Sequence, residues 1–436
     1  MVNVINFLTS ISKPSGMWES ILDWIETGII NYGWVIILFT LLVKVAMSPF
    51  DFLIRFSTKK QTLVQQKLAP QIARINKKYA NDKNQAQLQT NALYKKEGFN
   101  VFGSCIIMLL NLVLTMTVFL TLFNALRVES AYKAINQYIA MEQAYTQSYN
   151  DKLTEVKNGF IQDLNEYNVD SNNNPFVYNN VKAEFEGDNG IFNLFYSLNE
   201  VKDSSGNTIT LTESQQNILN LTLSNGINNK TVSSLLQDNG MIAHEAGKES
   251  ANQTWNKVKD SWLWIENIWV SDNYNSPVPT YKELTNLAKN SKNKSYVDCV
   301  KNINEDLHTT VTSSVREENN RWNGYFILAV LAAATSFLSQ YISELMTKSK
   351  NKHVNNMLEQ NNPTGGTMKF MKILLPAMMV IFVVTSSSAF GIYIVWSSII
   401  SSGISALIGF VVNKIFKKKE EEIIEGLEKD GISLRK

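Results

Sequence analysis

Four long apolar runs, at residues 27–50, 98–126, 322–343 and 373–413, constrain this chain more than any other feature. A helix needs about 20 apolar residues to cross a hydrocarbon core roughly 30 Å thick. Inside lipid such a run must satisfy its own backbone hydrogen bonds, which a helix does. Gly28 to Phe50 has the length and carries one charge, Lys44; Phe99 to Leu126 has it with no charge; Trp322 to Ser343 lies between Arg321 and Glu344. The last run is too long for one crossing. It is broken by Thr385-Ser386-Ser387-Ser388, with Gly391 close behind, and reads as a hairpin of two spans. The expected fold is therefore an all-α membrane protein with five transmembrane helices. The overall apolar fraction, 44%, hides this pattern, because residues 127–321 are polar and rich in Asn, Lys, Ser and Thr.

Lys and Arg placement orients the spans. Residues 51–102 hold ten of them against three acids, and residues 344–372 hold five against two. Lys414, Lys417, Lys418 and Lys419 follow the last span, whereas residues 127–321 are net acidic, with 17 basic and 25 acidic side chains. The N-terminus and the long insert are expected outside, both loops and the C-terminus in the cytoplasm. The expected organisation is an external amphipathic segment (1–28), a first span (29–50), a cytoplasmic helical hairpin (51–100) and a second span (101–126). An extracytoplasmic insert (127–321), a third span (322–343), a cytoplasmic loop (344–372), spans at 373–388 and 391–413 and a tail (414–436) complete it.

Met1 to Gly33 lacks the basic n-region and small-residue cleavage site of a signal peptide. After Pro14-Ser15-Gly16, the residues Trp18, Ile21, Leu22 and Ile25 share a helical face, which fits a helix lying in the membrane interface or the first turn of the span itself. In the loop, Ile72, Ile75 and Tyr79, then Leu88, Ala92 and Leu93, recur at helical spacing on either side of a turn at residues 80–84. An antiparallel helical hairpin follows, whose basic face either sets topology alone or also meets RNA or anionic lipid. The insert is expected to be mostly helical, with helices near 131–167 and 229–260 and a small aromatic core from Phe160, Phe176, Phe185, Phe192, Phe195 and Trp255.

Nothing here points to bond chemistry. Cys105 and Cys299 are too few for a disulfide framework, and His244, His308 and His353 share no metal-ligand spacing. No Gly-rich phosphate loop, nucleophile elbow or Cys-x-x-Cys pair occurs. No enzyme, cofactor, metal site or DNA partner is expected.

Lys44 is the residue of interest. A charge inside a span costs roughly 2.5–3.5 kcal/mol on insertion scales, so it faces a bundle interior or a wet cavity, or it snorkels. Lys44 lies six residues before Phe50, about 9 Å from that end, and a lysine stem reaches that far. Other polar residues favour the cavity. Asn111 and Thr115 share a face of the second span; Ser336, Ser339 and Ser343 line the third beside Gln340; Ser397 and Ser401 do so in the fifth. Serine stripes also serve close helix packing, whereas an unpaired amide in hydrocarbon is costly.

The motifs resemble one family. Ile36-Ile37-Leu38-Phe39-Thr40-Leu41-Leu42-Val43-Lys44 with Pro49 is similar to the first core span of the YidC/Oxa1/Alb3 membrane protein insertases, which usually carry arginine at the position of Lys44. Leu68-Ala69-Pro70 through Tyr94-Lys95-Lys96-Glu97-Gly98-Phe99-Asn100 resembles their cytoplasmic hairpin, and Gly103-Ser104-Cys105-Ile106-Ile107-Met108-Leu109 the start of their second span. Trp262-Leu263-Trp264-Ile265-Glu266 resembles an external stretch, and Met371 to Met379 with Tyr393 the last hairpin. Ile107 and Val113 stand where prolines are frequent in the family, which implies a straighter second span; Ser339 stands near a frequent glutamine, with Gln340 beside it.

The resemblance implies five helices around a hydrophilic groove open to cytoplasm and lipid, with Lys44, Asn111, Thr115, Ser339, Gln340 and Ser397 as candidate groove residues. The implied function is an insertase and chaperone, working in a bacterial cell membrane as a multi-pass protein. The implied partners are nascent or newly made membrane proteins and membrane lipids, with the Sec translocon and the ribosome as further candidates. The fourth span, Ile373 to Ser388, measures about 24 Å, short for a bilayer core. A channel or secondary transporter for a small solute is the alternative reading; such proteins often show inverted repeats, and none is visible here.

Overall fold

The computed structural model describes residues 11–29, 31–96, 101–167, 177–186, 193–202, 232–318, 322–347 and 365–429. The chain divides into two compact units. One comprises Pro14–Ser130, Asp260–Asn275 and Trp322–Lys436, the other Met1–Lys13, Ala131–Lys259 and Ser276–Arg321.

The first unit is helical. A short helix, α1 (Met17–Glu26), buries Leu22 and Ile25 against α2 (Tyr32–Lys78), and Trp18 meets Phe39 edge to face at 5.9 Å. The α2 helix starts on a side-chain cap, with Asn31 Oδ1 accepting from the Gly33 amide at 3.0 Å. It runs on past Phe50, where the sequence suggests the span gives way to a separate arm, through Pro49 and Pro70 to Lys78. An interior proline deprives the carbonyl four residues back of its partner. For Pro49 that carbonyl is Val45's, and the Ser48 hydroxyl donates to it at 2.8 Å. The arm and the span are thus one rod.

A turn over residues 79–82 leads into α3 (Lys83–Lys96), with Asp82 Oδ1 accepting from the Gln85 amide at 3.0 Å. Ile72 is buried in the first arm as its spacing suggests, but the second arm buries Ala86 and turns Leu88 outward. Leu88 shares a face with Ala92, and that face is not the one α2 covers.

Helix α4 (Val101–Tyr167) is uninterrupted, in keeping with the absence of prolines, and gives residues 101–130 to this unit. The remaining helices of the unit are α9 (Ile327–Thr347), α10 (Gly365–Thr385) and α11 (Ser388–Lys429), numbered in chain order across both units. α11 packs on α2, α9 and α10, and α9 packs on α10. Phe119 and Phe123 of α4 meet Phe382 and Phe390 with centroids 4.7–6.1 Å apart. The serine break is real: α10 ends at Thr385 and α11 begins at Ser388. The fourth helix is longer than the sequence suggests, 21 residues from Gly365, although its uncharged part still follows Lys372.

Among the described residues four helices are long and apolar enough to cross a membrane, and Pro376–Thr385 is a shorter apolar stretch. Leu41, Leu42, Val45, Val113, Leu120, Phe337, Leu338, Leu407 and Phe410 are exposed on them. So many large exposed apolar side chains on spanning-length helices describe a surface solvated by lipid. The protein is multi-pass.

The second unit contains the rest of α4, a strand pair and four further helices: α5 (Val232–Val258), α6 (Tyr281–Ser291), α7 (Lys294–Lys301) and α8 (Glu305–Glu318). The hairpin of β1 (Val177–Glu186) and β2 (Asn193–Lys202) is antiparallel and departs from an all-α expectation. The helix starts are written in the sequence. Thr280 and Glu283 form a reciprocal capping box, and Asn293 and Asn304 cap α7 and α8. Trp255 is buried at 1% exposure, as expected of a core aromatic. The side chains of Phe160, Phe176, Phe185, Phe192 and Phe195 lie outside the described residues.

Candidate functional site

Lys44 lies twelve residues into α2. Toward the start of the helix its neighbours are apolar and closed: Val35, Ile36 and Phe39 are fully buried, and the Thr40 hydroxyl spends its hydrogen on the Ile36 carbonyl at 2.7 Å. Lys44 is half-buried, and its electrostatic partner is Asp51, seven residues further on. Asp51 in turn senses Lys44 and Arg55. Arg55 Nη2 donates to Ser343 Oγ on α9 at 3.1 Å, tying the two helices together.

The third and fifth apolar helices meet through serines. Ser336 Oγ of α9 and Ser398 Oγ of α11 are 3.4 Å apart, and Ser402 Oγ donates back to the Ser398 carbonyl at 2.7 Å. Ser339 and Gln340 are half-buried on α9, and Ser397 is half-buried on α11 beside the Tyr393 hydroxyl. Thr115 is exposed on α4, and the Asn111 side chain lies outside the described residues. Of the six residues singled out by sequence, Ser339, Gln340 and Ser397 lie on the two helices that the Ser336–Ser398 contact joins. Arg55 with Ser343 and Ser336 with Ser398 make interhelical bonds. Arg55 and Asp51 escape a reading confined to the apolar run. Their spacing from Lys44, eleven and seven residues along a helix that continues, is the signal that would find them.

At the other end of α2 the arrangement is closed. Residues 260–275 form a strap held to the rest of the unit by hydrogen bonds. Asn323 Nδ2 donates to the carbonyls of Asn267 and Ser271 at 2.9 and 3.0 Å, and the Asn267 amide returns to Asn323 Oδ1 at 2.9 Å. The Ser388 and Ala389 amides donate to Val270 and Ile268 at 2.7 Å each, anchoring the start of α11. Asp272 caps α9, its two oxygens accepting from Phe326 at 2.9 Å and Leu328 at 2.7 Å, where a carboxylate suits the helix dipole. Two glycines are obligatory here. A Cβ on Gly33 would sit 2.1 Å from Trp262, and one on Gly324 would sit 2.2 Å from Asp272. The Trp262 stretch was visible in the sequence by resemblance, but its role as a strap was not.

The family model described as 60Kd inner membrane protein matches residues 24–222. That stretch includes α2, the hairpin turn and α4, and with them Lys44, Asp51 and Arg55. Over that stretch the chain is similar to the YidC/Oxa1/Alb3 proteins. "Membrane protein insertase YidC" of Wolinella succinogenes is 31% identical over 125 residues, 29% of this chain and 22% of that protein. The protein of the same name from Leptospira interrogans is 39% identical over 95 residues, 22% of this chain and 14% of that protein. The chloroplastic "Inner membrane ALBINO3-like protein 2" of Chlamydomonas reinhardtii is 40% identical over 99 residues, 22% of this chain and 21% of that protein. The matched stretch spans about a fifth of the first of these YidC relatives. No solved structure matches the chain.

Proposed function

We propose that this chain is a membrane protein insertase and chaperone. Five helices would surround a partly hydrated groove, open to the cytoplasm and to lipid and closed by the 260–275 strap on the outer side. The carrying observation is a single cation, Lys44, set half-buried within an apolar span and without a contact ion pair among the described residues, on a chain whose relatives are named insertases.

An unpaired ammonium in dry hydrocarbon is expensive, so the reading requires water around it. Water that reaches partway across shortens the barrier for a polar tail. Acidic residues of that tail would be drawn to the cation. The substrate's own apolar helix then leaves for lipid, which supplies the driving force. Ser339, Gln340 and Ser397, with Asn111 and Thr115, would offer hydrogen bonds to the passing backbone. Orientation from Lys and Arg puts the N-terminus and the insert outside and the C-terminus in the cytoplasm of a bacterial cell. Newly made membrane proteins and lipids are the proposed partners, with the translocon and ribosome as further ones.

Reconstituted vesicles test this with a single-span substrate carrying an acidic translocated tail. Lys44→Glu should cut its insertion by about tenfold, the size expected when an attraction becomes a repulsion, and Lys44→Arg should preserve it. Equal insertion by all three forms would leave Lys44 as a lysine that merely reaches the interface. A photo-crosslinker at Ser339 should also capture nascent membrane proteins.

A further inference from the structure

Three side chains of alternating sign rise along one side of α2. Lys44, Asp51 and Arg55 are separated by seven and four residues, spacings that return to the same face after two turns and after one. Asp51 feels both neighbours, Lys44 more than Arg55, and Lys44 feels Asp51. Neither cation closes onto the carboxylate as a contact ion pair among the described residues. Two turns of helix hold the Cα atoms of residues 44 and 51 about 10 Å apart, near enough for the charges to interact in a medium of low dielectric. Arg55 is held away by its bond to Ser343 on α9. The carboxylate of Asp51 therefore stands half-buried between two cations and committed to neither.

We propose that Asp51 is the resident counter-charge of Lys44, and that it sets how acidic a segment must be to engage that cation. The inference rests on the insertase reading above. With the groove empty, Asp51 partly neutralises Lys44. An acidic side chain of an entering segment competes with Asp51 for the same ammonium. When it wins, Asp51 still has Arg55 one turn away, so no charge is stranded in a low-dielectric site during the exchange. A neutral tail gains nothing from this device, and a tail with several acids overcomes it easily. Selectivity is greatest for tails with one acid.

The test uses the full chain in proteoliposomes and defined single-span polypeptides, a leucine-alanine span preceded by a tail with no, one or three aspartates. Asp51→Asn should raise insertion of the one-acid tail about threefold, bringing it toward the three-acid tail and leaving the neutral tail unchanged. Asp51→Glu should keep the wild-type selectivity. In a Lys44→Gln background Asp51→Asn should have no effect. The proposal is overturned if Asp51→Asn lowers all three tails in proportion, which marks a structural role, or if its gain survives in Lys44→Gln. Lys44→Gln separates the two layers. If it leaves the acid preference intact, the insertase reading of Lys44 itself fails. If it abolishes the preference while Asp51→Asn is silent, only the role of Asp51 fails.

Discussion

Lys44 and Lys59 sit fifteen residues apart on the same helix and are treated in opposite ways. The Lys59 side chain is 5% exposed and its Nζ lies 3.0 Å from Glu420 Oε2 on α11. Leu63, Val412 and Phe416 form an apolar cluster nearby on the same two helices, with Phe52, Phe56, Ile408 and Ile423 packed around it. Lys44 is half-buried, with its counter-charge two turns away and no partner in contact. A buried charge with a bonded partner is a lock, because removing either side leaves the other stranded. A charge whose partner is kept at a distance remains available to something else. One helix therefore holds a lysine locked into the architecture and a lysine that we propose for binding.

The largest expected effect lies with the lock. Lys59→Ala strands the Glu420 carboxylate and should destabilise the junction of α2 and α11 by about 3–5 kcal/mol, whereas the paired change Lys59→Met with Glu420→Leu should restore most of it. Thermal unfolding in detergent would read both, and a mild Lys59→Ala would erase the contrast with Lys44.

A third buried charge, in the other unit, sharpens it. Glu142 is 3% exposed with Oε2 lacking a hydrogen-bond partner among the described residues, and burial pushes its carboxyl from an ordinary 4.5 up to about 7. A raised carboxyl favours the folded unit at low pH, and that stability is lost as pH rises from about 4.5 through about 7. His308, 1% exposed and stacked on Tyr138 at 4.5 Å, is lowered from 6.5 to about 4 by burial, with Arg316 adding to it. It works the other way, costing stability as pH falls from 6.5 toward 4. Glu142→Gln should therefore raise the melting temperature at pH 8 and not at pH 4.5, and His308→Gln should flatten the acid side alone. Melts across pH 4.5–8 would check both signs. Without a lock, a buried group reduces its charge instead of holding it.

The smallest stability effect is expected at Lys44 itself. Lys44→Met should change the unfolding free energy by under about 1 kcal/mol, since no bonded partner is stranded. A loss as large as that at Lys59 would mean that Lys44 is architecture after all.

The apolar runs and the serine break at residues 385–388 were legible because each is a local signal, carried by neighbours along the chain. Lys44 was legible for the same reason, as a charge inside an apolar run. Leu88 was misread because helical spacing names a face and does not say whether anything covers it. The continuation of α2 past Phe50 was not legible, since Pro49 ordinarily argues for an end and only the Ser48 hydroxyl, placed on the Val45 carbonyl, removes the penalty. Nor was the packing of α11 on α2 beyond the last apolar residue, because a tail of mixed charge reads as solvated until a partner for Glu420 is found.

From its amino acids alone this protein was bound to be helical and membrane-embedded, because lipid leaves an apolar stretch of that length few other ways to satisfy its backbone. Tertiary structure alone decided which charges are paired. Pairing depends on residues hundreds of positions apart arriving within a few ångströms, as Lys59 and Glu420 do and as Lys44 and Asp51, on one rigid helix, do not.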